Sequence, residues 1–143
     1  MKRPEWDIHL VTNGAVCKEC GSIEDNFIDN ACDAHTHGLD QYGHLELQIV
    51  LNYTPHIICY ILNTLGNNIR NGTRYKAGDK IEGLFADCPI RLDAAKDCEG
   101  VDILRVIIPD KFNRWPEDPA CMVTYKHQIL PLEQLYISGI IPS

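Results

Sequence analysis

The sequence predicts a single α+β domain in which a mostly antiparallel sheet packs against one main helix at about residues 54–71. Apolar residues recur at three- and four-residue spacing within that segment, and they alternate with polar residues in several short segments on either side. No repeat, linker or low-complexity tract divides the 143 residues, a length that suits one domain with a sizeable core. We therefore treat residues 1–143 as one domain.

The N-terminal third is predicted to contribute three strands. Residues 4–16 favour a strand because Trp6, Ile8 and Leu10 alternate with polar residues, and residues 31–39 lead into a second strand. A turn at residues 40–43 precedes the third, residues 44–51, whose register is the best defined. Its apolar face is predicted to hold Leu45, Leu47, Ile49 and Leu51.

The main helix has recognisable ends. Thr54 suits the N-cap, Pro55 suits the first helical position, and Gly72 is placed to end the helix. Gly66 lowers the helix propensity, which indicates a close packing neighbour at that position. One buried stripe is predicted, formed by Ile57, Ile58, Ile61, Leu62, Leu65 and Ile69.

The C-terminal half is predicted to return to short strands at residues 80–85, 88–92 and 102–108. The last of these is the most apolar and should lie centrally in the sheet. Residues 120–128 are compatible with either strand or helix. The apolar tail, residues 130–141, is expected to pack back on the body.

Composition narrows the class of partner and the compartment. The formal net charge of −7, without a basic cluster, disfavours nucleic acid and suits a protein partner with a basic surface. The longest apolar run, residues 57–62, is too short to span a membrane, and the first ten residues lack a secretory signal pattern. We expect a cytoplasmic protein whose seven cysteines are free thiols or metal ligands.

Residues 17–37 carry the ligand types that Zn²⁺ prefers. Cys17 and Cys20 form a Cys-x2-Cys pair, and Cys32 is followed by His35 and His37. Two thiolates three positions apart can face one ion from a tight turn. The spacing predicts a structural zinc site, and the same residues are also compatible with unligated thiols.

A second arrangement uses histidines alone. His35 and His37 share one face of their predicted strand, and a hairpin could place His44 and Glu46 opposite them. Three histidines on adjacent strands are typical of a metal centre with an open position, where Glu46 could serve as a general base. The candidate catalytic residues are therefore His44 and Glu46, and the alternative ligand set is His35, His37 and His44.

Several motifs resemble a known family. The segments 35–39 and 43–47, a helix ending near residue 72, the Ile-Pro-Asp of residues 108–110, Trp115-Pro116 and Gln128 resemble the bacterial domain of unknown function 4262 over residues 31–136. His44 and Glu46 match the family pattern, whereas His35 and His37 depart from it. Because the family has no established activity, the resemblance implies no reaction and no cofactor.

Two functions from different classes follow from these observations. The first is a non-enzymatic binding or regulatory module with a structural zinc site, analogous to small acidic immunity proteins that neutralise toxins. The alternative is a metal-dependent hydrolase that uses the histidines at positions 35, 37 and 44. The sequence leaves open whether the protein is an enzyme.

Overall fold

The computed structural model describes residues 6–11, 15–16, 23–24, 31–85, 88–97 and 99–135. It confirms the predicted α+β class, with a six-stranded sheet covered by one main helix. The sheet order is β1-β4-β5-β8-β7-β6, and β2 and β3 form a separate two-stranded ladder. The strands are β1 (Asp7–Val11), β2 (Ala15–Val16), β3 (Ile23–Glu24), β4 (Ala31–His37), β5 (Leu47–Leu51), β6 (Lys80–Ile81), β7 (Ile90–Lys96) and β8 (Asp102–Ile107).

The pairing is antiparallel except between β5 and β8. β8 lies fourth in the order, which confirms its predicted central position. Two strand boundaries in this half were wrong. The segment predicted at residues 80–85 forms only the two-residue β6, and the strand predicted at 88–92 is the longer β7.

The main helix, α1 (Pro55–Arg70), confirms the predicted position and apolar stripe. Thr54 does not cap it through its hydroxyl; instead the carbonyl oxygen of Thr54 accepts the backbone N–H groups of Ile57 and Ile58. The close neighbour expected at Gly66 is the indole ring of Trp6, which lies where a side chain at that position would project. Trp6 is 4% exposed and therefore fastens the start of β1 to the helix.

β5 is shorter than predicted. Residues 44–46 are not part of the strand, and Leu45 is 44% exposed and does not lie on the predicted apolar face. The remaining members of that face, Leu47, Ile49 and Leu51, belong to the core beneath α1. Gln48 and Val50 on the opposite face are also buried, so the strand is covered on both sides.

The C-terminal segment covers part of the second face of the sheet. After the short helix α2 (Val123–Lys126), two 3-10 turns lead the chain across it. Leu132 and Leu135 pack there against Ala31 and Val50. This contact confirms the packing of the tail as far as residue 135. Within the described ranges, no helix is long and apolar enough to cross a membrane.

Candidate metal centre

Three histidines meet at the β1 side of the sheet. His9 lies on β1 directly opposite His35 on β4, and His37 lies two residues further along β4. One ring nitrogen from each residue lies within 4.8 Å of the nitrogens of the other two. Because residues two apart on a strand share a face, and antiparallel partners face the same way, the register alone places all three rings together.

The three histidine rings contact one another, two pairs edge to face and one pair stacked. The ring centroids of His9 and His37 lie 4.3 Å apart and those of His35 and His37 lie 4.9 Å apart, both nearly perpendicular, whereas His9 stacks on His35 at 5.5 Å. His9 and His37 are exposed and His35 is half-buried. The cluster is therefore open to solvent on one side and backed by the sheet on the other.

Asp33 holds His35 from within the protein. Its Oδ1 lies 3.0 Å from Nδ1 of His35, and because a carboxylate only accepts, the ring donates its proton there. This leaves Nε2 of His35 as the lone-pair nitrogen. A carboxylate behind a histidine in this way is the usual outer partner of a metal-ligating imidazole, since it fixes the tautomer and the ring orientation.

The surroundings of His35 and His9 shift the pKa values of these two rings in opposite directions. The hydrogen bond to Asp33 raises the pKa of His35 above its ordinary value, against the effect of burial. The pKa of His9 is lowered, first by burial and then by the neighbouring His37 and His35. His9 therefore resists protonation beside the other two rings, and a neutral imidazole is the form that binds metal.

A chain of buried polar groups supports Asp33. Its Oδ1 also accepts Nε2–H of Gln48 at 3.1 Å, and Oε1 of Gln48 accepts Nε–H of Arg105 at 2.8 Å. Arg105 in turn donates to the backbone carbonyl oxygens of Gln128 and Leu130. His35, Gln48 and Arg105 lie in register on β4, β5 and β8. This chain of hydrogen bonds therefore connects His35 to the C-terminal segment.

The distances suit a metal after a small adjustment. Zn²⁺ binds imidazole nitrogen at about 2.0–2.1 Å, so tetrahedral ligand atoms lie about 3.4 Å apart. The three nitrogens, at most 4.8 Å apart, would need to approach by no more than about 1.4 Å. Rotation of the exposed rings of His9 and His37 can supply this movement, while His35 stays on Asp33.

The structure separates Cys32 from His35 and His37, the histidines of the cysteine-based ligand set. Cys17 and Cys20 lie outside the described residues. Cys32 is fully buried in the core beneath α1, on the opposite face of β4 from His35 and His37, and its thiol contacts the carbonyl oxygen of Ile49 at 3.7 Å. Burial, with Asp33 nearby, raises the pKa of Cys32 to about 12, which disfavours the thiolate that a metal needs.

The structure also separates His44 from the other histidines. Its Nδ1 donates to the carbonyl oxygen of Leu45 at 2.8 Å, and its Nε2 accepts the backbone N–H of Tyr75 at 3.0 Å. Both ring nitrogens are occupied, and the residue is only 7% exposed. The grouping of ligand atoms that the described residues form contains His9 in place of His44.

Glu46 has a structural role as well. One carboxylate oxygen accepts Oγ1–H of Thr36 at 2.9 Å and the N–H of Leu39 at 3.1 Å, and the other accepts the N–H groups of Gly38 and Asp40. These donors open the 3-10 turn Leu39–Tyr42, so Glu46 satisfies the N–H groups at its start. A general base needs a free lone pair near the reacting group. The carboxylate of Glu46 already accepts four hydrogen bonds, so it is poorly suited to that role.

His9 was missed in the sequence. The alternation of Trp6, Ile8 and Leu10 leaves His9 on the polar face of its strand. The pairing of β1 with β4, however, spans more than twenty residues and follows from no local pattern. Comparisons with protein-family models, curated proteins and solved structures give no significant match to this chain. The resemblance to domain of unknown function 4262 thus stays a prediction.

Proposed function

We propose that this protein is a small binding module that binds a transition-metal ion, with Zn²⁺ as the candidate, through His9, His35 and His37. The observation that carries the proposal is the convergence of three imidazole nitrogens within 4.8 Å, with Asp33 behind His35. A surface histidine is often only a solvated polar residue. Here three histidines meet across two strands, and a buried carboxylate already orients one of them, which supports a role as ligands.

The three imidazole ligands limit which metal ions the site would bind. Imidazole suits Zn²⁺, Cu²⁺, Ni²⁺ and Co²⁺, whereas Mg²⁺ and Ca²⁺ prefer oxygen ligands. Three protein ligands leave at least one coordination position open, unlike the four ligands of a closed structural zinc site. In a binding module, that position would accept a water or a side chain from a partner protein.

Metal titration of the untagged protein tests the proposal. Isothermal titration calorimetry with Zn²⁺ should give one site per chain, and His9→Gln and His37→Gln should each weaken binding at least tenfold. His56→Gln is the matched control, because His56 is exposed and lies outside the cluster, at the start of α1. An unchanged Zn²⁺ affinity in both His9→Gln and His37→Gln would refute the proposed metal centre.

The compartment and the partner belong to the same proposal. We place the protein in the cytosol, a choice supported by Cys32, Cys59 and Cys121, which form no disulfide within the described residues. The net charge of −7 supports a basic protein as partner. Co-purification from the native host at low salt should recover one recurrent basic protein, released by salt and dependent on His37. Recovery of no recurrent protein would contradict the binding role.

A second candidate, a metal-dependent hydrolase, is favoured by the solvent-facing side of the cluster. A Zn²⁺ ion on three histidines lowers the pKa of a bound water and can deliver hydroxide to an activated carbonyl. Zn²⁺-loaded protein would then hydrolyse p-nitrophenyl acetate, and His37→Gln would abolish the activity while His56→Gln would keep it. Equal rates in the two variants would eliminate the hydrolase and leave metal binding standing.

A further inference from the structure

A cleft of about 470 Å³ lies beside the end of β7 and under the C-terminal segment. Ala94 and Ala95 form one wall, and the chain from Ile129 to Leu132 forms the other. Arg105, on the central strand β8, also lines the cleft. The volume is in the range of small-molecule sites, and the walls combine apolar side chains with polar ones, among them the buried cation Arg105.

Arg105 is a buried cation without an ion pair among the described residues. It is 3% exposed, and its hydrogen bonds go to neutral acceptors: Nε to Gln48, and Nη1 to the carbonyl oxygens of Gln128 and Leu130. Its Nη2 makes no hydrogen bond within the part of the chain that the structure describes. Because Arg105 lines the cleft, this donor is available to a ligand there.

The nearest acidic groups are committed elsewhere. Asp33 accepts hydrogen bonds from His35 and Gln48, and Asp93 forms a two-pronged pair with Arg91 at 2.8 and 2.9 Å. Burial lowers the pKa of Arg105 more than the charges of Asp33 and of Asp93, its cross-strand partner on β7, raise it. A buried charge is costly unless it is paired, and this one lacks its direct counter-charge.

The surroundings select the kind of anion. Asp97 also lines the cleft, and one oxygen of its carboxylate accepts the N–H groups of Glu99 and Val101, which fix its position. Lys96 lines the cleft as well, but its ammonium is paired with Asp102 at 2.6 Å. The negative charge of Asp97 therefore disfavours a multiply charged ligand such as a phosphate monoester. The apolar wall at Ile129, Leu130 and Pro131 favours a hydrocarbon body.

We infer that the cleft binds a small monocarboxylate with an apolar body, whose carboxylate accepts Nη2–H of Arg105. A charge-assisted hydrogen bond from a guanidinium to a carboxylate is stronger than one between neutral groups. The ligand would supply the counter-charge that Arg105 lacks, and its body would cover the alanine wall. This site is separate from the histidine cluster and requires no metal.

The test uses the full chain in EDTA, so that its outcome does not depend on metal binding. Benzoate and hexanoate are titrated by calorimetry or by NMR, with benzamide and hexanamide as neutral isosteres. We expect at least one carboxylate to bind tenfold more tightly than its amide. Failure of both carboxylates to bind, or equal affinities for acid and amide, would overturn the inference.

Two variants locate the site. Arg105→Gln should remove the preference for the acid over the amide. Because that change also disturbs a buried network, Ala95→Leu provides a second variant that fills the cleft and leaves Arg105 intact. Ala95→Leu should weaken carboxylate binding at least tenfold, whereas Ala77→Leu, in an exposed turn away from the cleft, should not. Unchanged binding in a folded Ala95→Leu protein would place the ligand elsewhere and refute the assignment.

Discussion

Gly66→Ala separates helix propensity from packing in a single substitution. Alanine in a helix interior is favoured over glycine by about 1 kcal/mol, so a free helix would be stabilised. In this protein a Cβ at Gly66 would lie 2.5 Å from Cζ2 and 2.7 Å from Cε2 of Trp6. Carbon atoms pack best at about 3.5–4.0 Å, so the ring must move by about 1 Å.

The ring has little freedom to move. Trp6 is 4% exposed, its Nε1–H donates to Oδ1 of Asn63 at 3.0 Å, and the guanidinium of Arg70 lies over the ring. Overpacking of this kind typically costs about 1–3 kcal/mol, and weakening the hydrogen bond adds up to about 1 kcal/mol. After subtraction of the propensity gain of about 1 kcal/mol, Gly66→Ala should lower the free energy of unfolding by up to about 3 kcal/mol.

Urea denaturation followed by circular dichroism measures the effect, and a double-mutant cycle assigns its cause. In a Trp6→Leu background the clash is absent, so adding Gly66→Ala should be neutral or stabilise by up to about 1 kcal/mol. Asn67→Ala, one residue further along the exposed side of α1, should be close to silent. Stabilisation by Gly66→Ala in the wild-type background would refute the contact. The contact also bears on the site, since displacing Trp6 would loosen β1 and His9.

Three further outcomes are expected. Ile61→Ala should cost about 2–5 kcal/mol because Ile61 is fully buried in α1, whereas Asn67→Ala should leave the urea midpoint nearly unchanged; equal effects would mean that the helix face is misassigned. Asp33→Asn should lower the pKa of His35 in an NMR titration. Because Asp33 raises that pKa above 6.5, the stability that the pair contributes is complete below pH 6.5 and is lost as the pH rises through the folded-state pKa of His35. The difference in unfolding free energy between wild type and Asp33→Asn should therefore be largest in acid, and a difference that grows with pH would contradict the hydrogen bond. The Co²⁺ complex should lack thiolate charge-transfer absorption and be unchanged by Cys17→Ser; a thiolate band that disappears in this variant would restore the cysteine-based site.

The elements set by local periodicity could be predicted from the sequence. The stripe of α1 and the apolar core of β8 bury enough hydrocarbon that their pattern decides their structure. The start of β5 could not be predicted in this way. His44 and Glu46 continue its alternation, yet Tyr75 and the 3-10 turn after β4 supply hydrogen bonds that draw both side chains out of the strand pattern.

The candidate site could likewise be predicted only where it depends on local periodicity. That His35 and His37 share a face follows from the two-residue period of a strand, and this part was predicted. The third ligand depends on which strand lies beside β4, and that pairing is a long-range property of the sheet. Asp33 and Arg105 were also missed, because a buried polar network has no periodic signature. The candidate catalytic residues, His44 and Glu46, have structural partners instead of free reactive atoms.

The most direct test of the metal centre is Zn²⁺ titration of the untagged protein, monitored by the ¹⁵N resonances of its histidine rings. The account predicts that one equivalent shifts one nitrogen in each of His9, His35 and His37, and that His35 keeps its proton on Nδ1 toward Asp33. His44 should not change, because both of its nitrogens are already bonded. Zn²⁺-induced shifts at His44, or none at His9, would contradict the central claim.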